Sequence, residues 1–471
     1  MTSTRGTRDG ADRYGSRRSW TIIGTALTAL TALTASSALS AQTAFDRLRP
    51  PATAQDSLPT VTLIEALERG THLDPGYVAA LGQVRDAGWQ RTAAMLTFII
   101  PSVSAQMGGQ WYSREIFNIG TGQLATRVVS AQLSGSYDIF RGGGKLFDLQ
   151  RRSAEFNRAE ATELESRYRT ALFIESDYYD VLAQQELARV SAERVRRADE
   201  QLAVARARVL TGAAVQTDSL QLLLELTRAR VELLRQESAV RVARLQLGRR
   251  IGLATPVGAA QLDPGGPPVL SFSAADAVQQ ALSEAPTVLA ARADQQAQEA
   301  GFRSAWSLYL PTITLSGQIS AFDDAFFPNA TSRSSFGLTL SLPIWNNGQR
   351  EIALSRARTV RDVARATRLD TELGLQRDVV QAYEAYEVAR ASYDLASEGL
   401  VVAAENLRVQ QERYRAGSTT IIDLVVAQVN LTEAEAGLVQ ARYAARLALA
   451  GLEALLGRRL TAREQPAERE E

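Results

Sequence analysis

The sequence predicts a mainly α chain with a membrane β-barrel component. Long antiparallel coiled-coil helical hairpins are expected in two tandem structural repeats, with four strands per chain that must be pooled with other chains. Three observations carry this. Landmarks recur in the same order through both halves, two long stretches are almost free of Gly and Pro, and four short stretches alternate apolar with small polar residues.

At the N-terminus, Arg17 and Arg18 precede an apolar, Thr-broken run from Trp20 to about Ala35, followed by small residues. This reads as a secretory signal over residues 1–40, with cleavage possible as late as Ala54. It is too short and interrupted to span a bilayer as a helix. The 471 residues are 45% hydrophobic and 22% charged, ample for a large core, and the formal charge of zero gives no reason to expect nucleic acid. There is no Cys and one His, which excludes thiol chemistry, disulfides and a Cys lipid anchor. His72, beside Asp74 and Pro75, reads as a surface residue. No catalytic constellation, metal site or cofactor site is expected.

The duplication is read from matched landmarks. Glu65-Ala66 with Pro75 answers Asp276-Ala277 with Pro286, and Pro101-Ser102-Val103 answers Pro311-Thr312-Ile313. From Asp138 to Asp218 the two copies align without a gap, each residue 205 positions from its partner, as 212 is from 417 and 218 from 423. The expected repeats are 61–253 and 272–457. A Pro- and Gly-rich connector, 254–271, lies between them, and a charged, solvated tail, 458–471, follows.

Within each copy, Thr62–Ile100 is expected to be helical and to stop at Pro101. Lys145–Leu210 holds no Gly or Pro, and Arg350–Arg415 only Gly374 and Gly399, so each predicts one helix about 100 Å long. A seven-residue line runs through Val181, Ala188, Val195, Leu202 and Val209, and through Tyr386, Tyr393, Leu400, Leu407 and Tyr414. Beside it run Ser191, Ala198 and Ala205, matched by Ala389, Ala396 and Ala403. Small residues on one seam of a heptad predict close, supercoiled packing. The shorter return runs imply that two helices stacked end to end match each long one.

The strands are expected around residues 102–111, 129–137, 313–320 and 335–342, apolar on one face and Ser, Thr, Gln or Gly on the other. That alternation fits a membrane barrel with a wet interior. Trp111, Tyr112, Phe140, Phe322 and Trp345 near strand ends suit an interfacial girdle. Four strands cannot enclose a lumen. The intervening stretches, Ser113–Arg127 and Asp323–Ser332, are expected to be loops.

The helices turn at two tips, ARVLTGAAVQTD ending at Asp218 and ERYRAGSTTIID ending at Asp423. Gly212 and Gly417 are placed to stop one helix, and Asp218 and Asp423 to cap the next.

At these residues the chain resembles the TolC-like outer-membrane efflux protein family, from about Val61 to Gly457. RYRAGSTTIIDLVVAQVNL, TGAAVQTD and LPIWNNGQR carry the resemblance. It implies a homotrimer whose strands form a twelve-stranded barrel in the outer membrane, extended by a periplasmic helical tunnel. It implies the exit duct of a tripartite efflux or type I secretion system, with a periplasmic adaptor and an inner-membrane pump as partners and no enzymatic activity. Residue by residue, Thr211, Gly212, Ala416 and Gly417 match adaptor-contacting tips. Asp423 matches a carboxylate ringing the entrance, where three copies favour cations and raise one another's pKa. Tyr414 and Asp218 match a closed-state latch. Two family positions differ here. A second entrance Asp is Val426, and an Arg that supports the latch is Thr419, so the latch should be weaker or built differently. The alternative is a periplasmic adaptor, a scaffold that also carries helical hairpins but leaves the four strands unexplained.

Overall fold

The computed structural model describes residues 58–118, 122–262, 265–324 and 331–460. The expected signal segment and most of the expected tail lie outside these residues. The long helices are α3 (Gly144–Leu210) and α7 (Gln349–Arg415), 67 residues each. Their return partners are α4 (Gln216–Arg250) on α3 and α8 (Ile421–Leu456) on α7. Two 11-residue helices, α1 (Leu63–Leu73) and α5 (Ala274–Glu284), precede two 22-residue helices, α2 (Pro75–Leu96) and α6 (Pro286–Ser307). Helix α2 packs on α3, while α6 packs on both α3 and α7. The helical run expected from Thr62 to Ile100 is thus divided. Asp74 ends α1 and caps α2 by accepting from the Tyr77 amide at 3.0 Å, and Pro75 opens α2 where no N–H is required. Among the described residues no helix is long and apolar enough to cross a membrane.

The heptad lines are the packed lines. Val181, Leu202, Ser191, Ala198 and Ala205 are buried on α3, as are Tyr386, Leu407 and Tyr414 on α7. A different spacing governs the face of α3 turned to the second half. Glu175 meets Arg459. Glu186 accepts from Arg442 at 2.9 Å and from the Tyr443 hydroxyl at 2.7 Å. Arg197 forks onto Glu435 at 2.8 and 3.1 Å, and Arg208 reaches the backbone oxygen of Tyr414. Residues 175, 186, 197 and 208 are eleven apart, three nearly whole turns, so they fall on one stripe. The expected tail begins held at Arg459 and Leu460, while residues 461–471 lie outside the described residues. Arg459 lies between Glu175 and Glu453, which are almost fully buried, and Leu460 donates its amide to Glu453.

Midway along α3, β1 (Thr60–Val61) pairs in parallel with β4 (Gly258–Ala259). The Tyr178 hydroxyl donates to Ala260 O at 2.7 Å, and Tyr383, 205 residues on, donates to Phe272 O at 3.0 Å. Tyr386 holds Pro268 O likewise, and burial pushes its phenol up to about 12.

The strands β2 (Ser102–Asn118), β3 (Gln123–Arg141), β5 (Thr312–Asp323) and β6 (Thr331–Ser341) form one antiparallel sheet in that order. The first pair runs well past the expected strands. Residues 113–118 and 123–127, expected as loop, are strand, because Ile116, Phe117 and Asn118 pair with Ala125, Leu124 and Gln123 beyond an irregularity after Trp111. Register aligns one face as rows: Ser102, Ser136, Ser316, Gly337; then Ser104, Ser134, Gln318, Ser335; then Gln106, Gln132, Ser320, Arg333. The opposite face carries Ala105, Leu133 and Ile319, and Leu315 beside Leu338. A hollow of about 190 Å³ on the hydroxyl face is lined from all four strands, so the sheet curls toward its polar side. Edges β2 and β6 have no partner strand among the described residues.

Sheet and helices meet at a repeated clamp. Lys145, the only lysine of the chain, donates to Thr97 O at 2.8 Å and lies 4.2 Å from the Tyr137 ring. Its counterpart Arg350 donates to Pro343 O and Ile344 O and lies over Tyr309.

Candidate functional site

The two hairpin tips are built alike as far as their glycines. Gly212 and Gly417 have φ of 73° and 76°, a conformation side chains resist. The next amide in each closes back on the carbonyl five residues earlier, Ala213 on Arg208 at 2.9 Å and Ser418 on Arg413 at 2.8 Å. This is the Schellman stop. Thr211, Gly212, Ala416 and Gly417 are all exposed at these turns.

Beyond the glycines one residue separates the tips. Thr420 caps α8: its hydroxyl accepts from the Asp423 amide, and Asp423 returns the bond to the Thr420 amide at 3.2 Å. The Thr420 and Thr419 hydroxyls also donate to Asp423 Oδ2, at 2.7 and 2.9 Å. Hydrogen bonds from Thr420, then Thr419, hold this exposed carboxyl below its ordinary range. The equivalent of Thr420 in the first tip is Val215, which has no side-chain oxygen, so α4 starts without a cap. Asp218 is thereby left out of a capping box, and it accepts from the Tyr414 hydroxyl at 3.4 Å.

The structure therefore brings Tyr414 and Asp218 together across the two hairpins, and it separates the roles given jointly to the two Asp residues: Asp423 caps its helix and Asp218 does not. Tyr414 is buried, and burial followed by the Asp218 charge raises its phenol. The third member is Arg208, which sequence reasoning missed. Its guanidinium lies 4.7 Å from the Tyr414 ring centre, reaches Tyr414 O, and donates to Ala213 O at 3.3 Å. The signal available was its place in the eleven-residue stripe. Thr419, where the resemblance led us to look for an arginine, serves the cap of α8. Val426 and Ile422 are exposed beside Asp423, so the surface one turn further on is apolar. His72 is exposed in the last turn of α1.

The comparisons agree with this architecture. The family model for outer membrane efflux proteins matches residues 78–253 and 277–458. The outer membrane efflux protein BepC of Brucella suis is 23% identical over 350 residues, 68% of this chain and 75% of that protein. The pyoverdine export outer membrane protein OpmQ of Pseudomonas aeruginosa is 26% identical over 411 residues, 80% of this chain and 81% of that one. In fold, the chain is similar to the outer membrane protein VceC of Vibrio cholerae, with a TM-score of 0.70 at 17% identity, covering 85% of this chain and 97% of that one. The adaptor alternative falls, since the family match takes in both hairpins and both strand pairs. The chain belongs to the outer membrane efflux protein family and is an outer-membrane efflux channel protein.

Proposed function

We propose that three copies of the chain join their sheets into a twelve-stranded barrel and their hairpins into a periplasmic tunnel, forming the exit duct of a tripartite efflux or type I secretion system. The carrying observation is the open sheet, curled toward its hydroxyls with both edges, β2 and β6, unpaired among the described residues. A 17-residue edge strand left free is an aggregation hazard, and in a bilayer every backbone group needs a partner. Pairing β6 of one copy with β2 of the next meets both demands. The repeats 61–253 and 272–457, linked by 254–271, are then two half-subunits.

In this reading Asp423 rings the periplasmic entrance, and Tyr414 with Asp218 holds it closed, with Arg208 supplying the positive charge. Thr211, Gly212, Ala416 and Gly417 meet the periplasmic adaptor, beside the exposed apolar Leu210 and Val215. The duct catalyses nothing, and an inner-membrane pump supplies energy and selects cargo. The test is mass determination and negative-stain microscopy of protein extracted by detergent from outer membranes. A trimeric, tapered tube with an extension of about 100 Å is expected from the helix rise. A soluble monomer would overturn the reading.

A further inference from the structure

The strand register makes the charge along the wet face of the sheet countable. From Asp138 outward the rows carry Ser, Thr, Gln and Gly, with Val128 and Phe322 near the outer end, and a single cation, Arg333. Asp138 is compensated: it accepts from Thr314 at 2.9 Å and lies 3.7 Å from Arg141. Arg333 is exposed and makes no ion pair among the described residues. In register its row is completed by Ser320, Gln132 and Gln106, and Ser335, its neighbour on the same face of β6, lines the hollow.

We infer that Arg333 forms an oxyanion site in the barrel lumen, taking small solutes that bear carboxylate or phosphate. The inference rests on the trimeric-channel reading, which sets three copies of Arg333 in one ring at a single height. A guanidinium offers a planar fork that matches both anions, and the flanking hydroxyls and amides supply further donors. Among the wet-face rows that the register aligns, Asp138 is the only carboxylate, and it is already compensated, so it does not cancel the field of Arg333, and a confined pore concentrates the counter-ion. The duct then carries opposite signs at its ends, Asp423 at the periplasmic entrance and Arg333 toward the exit.

The test is planar-bilayer recording of the wild type, Arg333→Gln, Arg333→Lys and Asp423→Asn. Citrate and inorganic phosphate are the probes, added on the barrel side, with sucrose as the neutral control. Citrate is expected to block the wild type and Arg333→Lys, and the half-blocking concentration to rise roughly tenfold in Arg333→Gln. Phosphate blocks more weakly in the same order. In a KCl gradient Arg333→Gln shifts the reversal potential toward cation preference, and Asp423→Asn shifts it the other way. Equal block of wild type and Arg333→Gln overturns the site. So does citrate that blocks the wild type no better than sucrose, a result that needs no variant to assemble. Absence of any wild-type conductance would instead sink the channel reading itself.

Discussion

At the scale of single residues, the difference between Val215 and Thr420 decides what two equivalent carboxylates do. Thr420 engages Asp423 in a capping box, whereas Val215 leaves Asp218 to the Tyr414 hydroxyl. Replacing Val215 with Thr should therefore draw Asp218 into a cap. Helix α4 gains about 1 kcal/mol, while basal conductance in bilayers rises because the latch loses its acceptor; unchanged conductance would separate Asp218 from gating. Arg208→Ala is expected to raise basal conductance at least as much as Tyr414→Phe, since it removes the ring contact and the bond to the backbone together. For Asp423 the sign follows from its depressed pKa. The cap is fully present above the ordinary carboxylate range and fades as pH falls through the lowered folded value. The melting-temperature difference between wild type and Thr420→Val should shrink from pH 7 to pH 3.

At the scale of elements, the boundaries of the long helices were legible. The Gly- and Pro-poor runs 145–210 and 350–415 became Gly144–Leu210 and Gln349–Arg415, because nothing inside them breaks a helix and a glycine stops each. The partner across each seam was not legible. Periodicity tells which residues of a helix are covered, not what covers them, so the ion pairs from α3 to the second half went unread. Their energetic weight is greatest where burial is deepest. Arg459→Ala would remove the cation that lies between the buried Glu175 and Glu453, and breaking such a pair costs about 3 kcal/mol or more. Denaturant titration of the detergent-solubilised protein should show that loss, while Arg196→Ala, whose partners are exposed, should show almost none.

At the scale of the whole molecule, the sheet joins strands from both halves, with β3 beside β5. Alternation had marked the four strands but not their order, and it underestimated the first pair because alternation falters at the irregularity beyond Trp111. The Lys145 clamp gives this junction of sheet and helix a chemical handle. A lysine-specific protease has one peptide bond to cut in the entire chain, and it lies in the first turn of α3. Intact, that turn is held by hydrogen bonds, and the ammonium is pinned to Thr97 O. Scission there reports transient fraying of one joint, and its rate becomes a clock for how often sheet and helices let go of each other.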